Sequence, residues 1–188
     1  MSVQPPGPGA AVGAVLPGPI RQVGYVVRDL QTAIDDAVAL GIGPWFTMFD
    51  LPQEGMTYRG APCAPVLSLA FANSGDLQLE IIQQVDDSPS IYREFLDAGN
   101  HGFNQLAWWV DDFAAFEARA GAAGWQAVYG GDAAGSRFEY YETGGGLASI
   151  VEVMELNDAT RWMATTVRDA ANAWDPSDPG QPGVRALF

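Results

Sequence analysis

Apolar residues alternate with polar or small ones along Ile20-Arg-Gln-Val-Gly-Tyr-Val-Val27, a period that fits a strand with one covered face. Asp29 follows in the position of a helix N-cap. Leu30, Ala33, Ile34, Ala37, Val38 and Leu40 then recur at helical spacing, and Gly41 supplies the stop. Further strands are expected over 65–72 and 76–84, joined by the turn Asn73-Ser-Gly, with another over 45–49. A short helix over 90–98 follows Pro89.

The pattern then restarts. Asn104-Gln-Leu-Ala-Trp-Trp-Val110 reads as a strand, and Asp112 caps a helix carrying Phe113, Phe116 and Ala120. Strands are expected over 125–129, 137–141 and 148–156. A last amphipathic helix runs from 158 to about 174, with Trp162, Met163, Val167, Ala170, Ala171 and Trp174 on one side. Gln22-Val-Gly-Tyr-Val-Val-Arg-Asp-Leu aligns with Gln105-Leu-Ala-Trp-Trp-Val-Asp-Asp-Phe, and the segment from Phe71 to Glu80 aligns with that from Tyr141 to Glu152. Each half is strand–helix–strand–strand–strand, opening at a glutamine and closing at a glutamate. One such unit leaves too much apolar sheet bare, so the two must share a core. The fold expected is α+β: duplicated βαβββ modules forming one curved, cavity-lining mixed sheet with helices outside. The expected divisions are a flexible arm over 1–17, modules over 18–86 and 100–156, a linker helix over 87–99, and a C-terminal helix and irregular tail over 157–188.

Composition narrows the chemistry. The chain of 188 residues has a formal net charge of −14, and its nine basic residues are all arginine. Without lysine there is no Schiff base, pyridoxal phosphate anchor or P-loop. An acidic chain without a basic patch repels phosphate backbones, so no nucleic-acid partner is expected. Cys63 is the sole cysteine, which rules out an internal disulfide and points to a reducing cytoplasm. No apolar run reaches the roughly 18–20 residues of a membrane span, and the Pro/Gly/Ala-rich start lacks the features of a signal peptide. His101 is the only histidine, and its loop-like setting marks it as a surface residue.

Residues two apart on a strand share a face, so Gln22, Glu80, Gln105 and Glu152 should look into the hollow of the sheet. Two carboxylates and two carboxamides would meet there, among Trp109, Met154 and Tyr140. Buried carboxylates repel unless a cation or shared protons relieve them. A divalent ion is the simplest relief.

The stretch from Ile20 to Trp174 resembles the vicinal oxygen chelate superfamily of glyoxalase I, methylmalonyl-CoA epimerase, extradiol dioxygenases and bleomycin- or fosfomycin-resistance proteins. The resemblance is carried by Ile20-Arg-Gln-Val-Gly-Tyr-Val-Val-Arg-Asp-Leu, Gly43-Pro-Trp-Phe46, Leu77-Gln-Leu-Glu-Ile-Ile-Gln-Gln84 and Gly102-Phe-Asn-Gln-Leu-Ala-Trp-Trp-Val-Asp-Asp112. Gly135-Ser-Arg-Phe-Glu-Tyr-Tyr-Glu142, Ile150-Val-Glu-Val-Met-Glu155 and Trp174-Asp-Pro-Ser-Asp-Pro179 complete it.

The resemblance implies metal ligands at Gln22, Glu80, Gln105 and Glu152. Gln105 departs from the motif, which normally carries histidine there, and Asn104 does not restore one. An all-oxygen set suits Mg²⁺, Mn²⁺ or Ca²⁺ better than Zn²⁺. The alternative is that Gln105 hydrogen-bonds Glu80 or Glu152 and no cofactor is held.

The resemblance further implies proton transfer beside a carbonyl, with Glu152 the first candidate base, Glu80 the second and Tyr140 a hydrogen-bond donor. Extradiol chemistry is disfavoured because its iron site needs two histidines. Trp45, Phe46, Met48 and Tyr58, in or before a lid-like irregular stretch over 50–65, are the candidate pocket walls with Trp109 and Met154. They suit a small hydrophobic or aromatic substrate; glutathione fits an acidic chain less well. Arg21, Arg28, Arg59, Arg93 and Arg137 are local anion contacts or plain solvated surface. Three readings stand: a metal-assisted isomerase or lyase of glyoxalase or epimerase type, a metal-free epimerase or cyclase, and a non-catalytic binder of a hydrophobic compound. A homodimer through Trp162 and Trp174 is also expected.

Overall fold

The two halves meet along one antiparallel pair at the middle of a single sheet. The computed structural model describes residues 14–133 and 135–187; the arm expected over 1–17 lies outside them up to residue 13. Val15 and Leu16 of that arm pack against the core, and the Val15 carbonyl accepts from Arg119 Nε at 3.2 Å.

The first half comprises β1 (Gln22–Val26), α1 (Leu30–Ala39), β2 (Trp45–Pro52), β3 (Met56–Tyr58), β4 (Ala61–Cys63), β5 (Val66–Ser74) and β6 (Leu77–Gln84). After α2 (Ile91–Asp97), the second half comprises β7 (Gly102–Val110), α3 (Phe113–Ala122), β8 (Gln126–Ala133), β9 (Ser136–Glu142) and β10 (Ile150–Glu155). Then come α4 (Asp158–Ala173) and β11 (Val184–Ala186). Asp29, Ser90, Asp112 and Asn157 cap the four helices through side-chain oxygens, and Gly41 takes the positive φ of 80° that turns the chain after α1.

Strand order is β11-β2-β5-β6-β1-β7-β10-β9-β8-β3-β4. Within each half the first strand runs parallel to the last, β1 to β6 and β7 to β10, while β1 and β7 join antiparallel. That is the architecture expected of a folded duplication. It differs in two places.

The stretch over 50–65 is no irregular lid. It forms the hairpin β3–β4, which crosses to the second half and pairs with β8. Met56 anchors it, buried against Gly131, where a Cβ would stand 2.5 Å from the Met56 sulfur. The tail is also ordered at its end. β11 pairs parallel with β2, and buried Leu187 fills the space beside Phe46. Three-residue strands give too short an alternation to be seen in sequence.

One face of the sheet is covered by α1, over Trp45, Ala70 and Ile81, and by α3, over Leu106, Trp108, Val151 and Val153. The opposite, concave face carries Gln22, Glu80, Gln105 and Glu152, and it is also covered. There α2 lays Ile91, Tyr92 and Leu96 on Val26, Ile82, Tyr129, Phe138 and Tyr140. Helix α4 lays Met163, Val167 and Ala170 on Phe46 and Phe71. Trp174 packs its ring against Gly43, which leaves Trp162 as the member of that pair at the surface, 52% exposed. Among the described residues, no helix is long and apolar enough to cross a membrane.

Candidate functional site

Strands β6, β1, β7 and β10 lie side by side, and each turns polar residues onto the concave face. Two rows result. In one, Glu80 is opposite Gly24, and Gly24 is opposite Gln105. In the next, Gln78 is opposite Gln22, Gln22 opposite Ala107, Ala107 opposite Glu152, and Glu152 opposite Tyr140. The pairing therefore brings together the four residues singled out from the duplication. All four, with Gln78, are more than nine-tenths buried.

Gly24 is what lets Gln105 lie flat. A Cβ at residue 24 would fall 2.0 Å from Gln105 Nε2 and 2.6 Å from its Oε1, so no larger residue fits beneath that amide. Gln105 Nε2 donates to the Tyr140 hydroxyl at 3.2 Å, and the Tyr92 hydroxyl donates to the same oxygen at 2.9 Å. Tyr140 thus accepts twice, and its own proton is left to turn toward Glu152. Gln22 leans the other way, with Nε2 donating to Gln78 Oε1 at 2.9 Å.

Burial pushes both carboxyl groups toward the protonated form. Glu80 is driven well above the ordinary range by desolvation and then by the charge of Glu152. Desolvation also raises Glu152, but hydrogen bonding from Tyr140 and Gln105 favours its ionised form and holds it at about 7. The pair is thus one held proton and one group poised near neutrality. Gln105 Oε1, Glu152 Oε2, Gln78 Nε2 and the Tyr129 hydroxyl are buried with no hydrogen-bond partner among the described residues. Polar atoms left bare in a core cost about 1–3 kcal/mol each, so this cluster is specified by something other than stability.

The candidate pocket walls scatter. Trp45 points to the opposite face, with its indole N–H donating to the Ile42 carbonyl at 2.9 Å, because its neighbour Phe46 takes the inward position. Consecutive strand residues cannot share a face. Phe46 and Met48 lie under α4. Tyr58 sits on the rim, its hydroxyl on Glu94, while Arg59 bridges Glu94 and Glu142. Met154 packs into the cluster beneath α2. Trp109 lines an open cleft, described below. His101 is exposed. Tyr92 and Tyr129 were not foreseen, and Gln78, though on the inward face, was not counted among the site residues. Gln78 stands two before Glu80 and so on its face, a signal the sequence did carry; the arrival of Tyr92 from α2 left none.

A family model described as the Glyoxalase/Bleomycin resistance protein/Dioxygenase superfamily matches residues 21–141. The chain belongs to that superfamily. Solved structures share the fold. The methylmalonyl-CoA epimerase from Mycobacterium tuberculosis is 21% identical, covering 76% of this chain and 91% of its own, with a TM-score of 0.53. A hypothetical protein from Bacillus halodurans is 16% identical, covering 74% and 95%, with a TM-score of 0.58. A variant methylmalonyl-CoA epimerase from Streptomyces coelicolor, in complex with 2-nitronate-propionyl-CoA, is 15% identical over 74% and 95%, with a TM-score of 0.53. At these identities the likeness is one of fold. No curated protein matches the chain. In this superfamily member the histidine expected at 105 is a glutamine, and the donors gathered are carboxylate and amide oxygens.

Proposed function

We propose that this chain is a small-molecule isomerase of the epimerase type, in which Glu152 moves a proton beside a substrate carbonyl. The observation that supports it most directly is the buried carboxyl pair, one proton-bearing and one held at about 7. A base near the working pH is half available and still strong enough to take a carbon-bound proton. Glu152 takes that proton, and the electron pair of the C–H bond moves onto the carbonyl oxygen. Glu80, which enters the cycle protonated, returns a proton to carbon. The hydroxyl of Tyr140 and the amide of Gln105 stabilise the charge that develops.

Ionised instead of protonated, Glu80, together with Gln22 and Gln105 and with Glu152 beside them, would hold a divalent cation in place of the shared proton. The unpartnered Gln105 Oε1 and the crowded carboxylates fit a hard ion such as Mg²⁺, Mn²⁺ or Ca²⁺, and the lack of imidazole disfavours Zn²⁺. Such an ion would neutralise the pair and polarise the substrate carbonyl.

Several structural neighbours are methylmalonyl-CoA epimerases, one of them in complex with methylmalonyl-CoA, which makes that thioester the first probe. Its α-proton should exchange with solvent deuterium in the presence of the protein, with and without added Mg²⁺ or Mn²⁺. Glu152→Gln should lower the exchange rate by about 10²-fold or more. Exchange that survives in Glu152→Gln, or none in the unaltered protein, overturns the reading.

A further inference from the structure

Where the concave face runs out beyond the Gln22–Glu152 row, a cleft of about 220 Å³ opens between the sheet and α4. Arg21 reaches it from just before β1, Trp109 from β7, Asn73 from the end of β5, Asp76 from the β5–β6 turn, and Arg161 and Arg168 from α4. Three of the nine arginines in a chain of net charge −14 therefore converge on one small opening.

None of the three is strongly engaged. The Arg21 guanidinium lies over the Trp109 ring, its carbon 5.0 Å from the centroid, and no carboxylate among the described residues pairs with it. Arg161 meets Asp111, whose side chain is 81% exposed, and Arg168 pairs with its chain neighbour Asp169, 62% exposed. Such solvated pairs hold a guanidinium weakly, so a ligand can displace them at little cost. The indole N–H of Trp109 is buried without a hydrogen-bond partner among the described residues, an unmet donor beside the positive charge.

We propose that this cleft binds the carboxylate of a small organic acid or acid-bearing substrate, gripped by Arg161 and Arg168 and laid beside Arg21 and Trp109. Arginine forks match a planar oxyanion, and the Trp109 face holds the Arg21 guanidinium beside where it would lie. A carboxylate fits better than a phosphate because Asp76 stands on the wall. Its charge opposes a dianion more than a monoanion, and Leu156 and Ala164 give an organic body something to cover. Trp109 is opposite Met154, two residues along the strands from the Ala107–Glu152 pairing. A ligand anchored here would extend toward the carboxyl pair. That extension rests on the function proposed above; the binding does not.

The test is equilibrium binding of isobutyrate and, separately, inorganic phosphate to the whole chain, followed by ligand-observed nuclear magnetic resonance. Isobutyrate should bind saturably, about tenfold more weakly in Arg161→Gln and in Arg168→Gln, and not at all when Thr165→Phe fills the cleft without changing its charge. Circular dichroism identifies any variant that fails to fold, and Arg168→Gln, on an exposed helix face, keeps the test alive if Thr165→Phe does. Absent saturation, or saturation indifferent to all three substitutions, overturns the site. Phosphate binding without isobutyrate binding overturns the choice of carboxylate. Because no turnover is read, failure here leaves the deuterium-exchange result standing, and failure there leaves this one.

Discussion

The two halves start from the same strand and end with different chemistry. Gln22 and Gln105 stand on equivalent strands, Gln22 at the start of β1 and Gln105 three residues into β7, and each lies against the other's strand across the central pair. Gln105 sits above Gly24, turned toward Tyr140; Gln22 sits above Ala107, turned toward Gln78. The closing glutamates diverge accordingly. Glu152 has a tyrosine opposite it and hydrogen bonds to its charged form, while Glu80 has Phe71 opposite it and only burial and a like charge. A duplicated fold thus makes two inequivalent carboxyls by changing the residue across the strand. One holds a proton, the other can release it.

The largest expected effect tests that inequality through pH. A carboxyl raised on folding contributes stability that is fully present below its unfolded value and is lost as pH rises through its folded one. For Glu152 the window runs from about 4.5 to about 7 and is worth about 3 kcal/mol, with Glu80 extending the loss to higher pH. Urea unfolding of the metal-free chain should therefore show stability falling between pH 5 and 8. The Glu80→Gln, Glu152→Gln double variant should be nearly flat across that range. A wild-type profile as flat as the variant's would mean the two carboxyls are not held as described.

Next in size is the floor beneath Gln105. Gly24→Ala places a methyl inside the amide of a side chain with no exposed surface to retreat to, and should cost about 2–3 kcal/mol. The equivalent change in the other half, Ala107→Gly, removes a methyl and adds backbone freedom, for about 1 kcal/mol. Chemical denaturation at pH 6 compares them. Equal losses would show that both glutamines lie the same way and the asymmetry is not real.

Much of this was readable beforehand, because it follows from alternation. A two-residue period fixes which strand residues share a face, and the duplication fixes which strands are neighbours, so Gln22, Glu80, Gln105 and Glu152 could be placed together from sequence alone. What alternation does not carry was missed. The hairpin at 56–63 and β11 are too short to show a period, and their pairing partners are distant in sequence. Trp45 and Phe46 were both assigned to the hollow although adjacent strand residues face opposite ways, an error of composition over geometry. The filling of the hollow by α2 and α4 depends on how helices outside the repeat dock, which no residue spacing specifies. For the same reason the arginine cleft, half built from α4, was invisible.

The smallest effect asks what separates Glu152 from Glu80. Tyr140→Phe keeps the ring, and with it the edge-on packing against Tyr92 and Phe138, but deletes the hydroxyl shared by Gln105, Tyr92 and Glu152. Desolvation of Glu152 is then nearly unchanged while the hydrogen bond to its charged form is gone. The Glu152 midpoint should rise, by less than about one pH unit, since Gln105 still contributes. Stability should drop by about 1 kcal/mol as the Gln105 amide and the Tyr92 hydroxyl lose their common acceptor. Carbon-detected titration of labelled glutamate side chains reads the midpoint directly. Tyr92→Phe serves as the partner measurement, for it removes a donor to Tyr140 rather than to Glu152 and should move that midpoint less. If Tyr140→Phe leaves Glu152 where it was, the opposite residue on β9 is not what makes one of the two carboxyls a base.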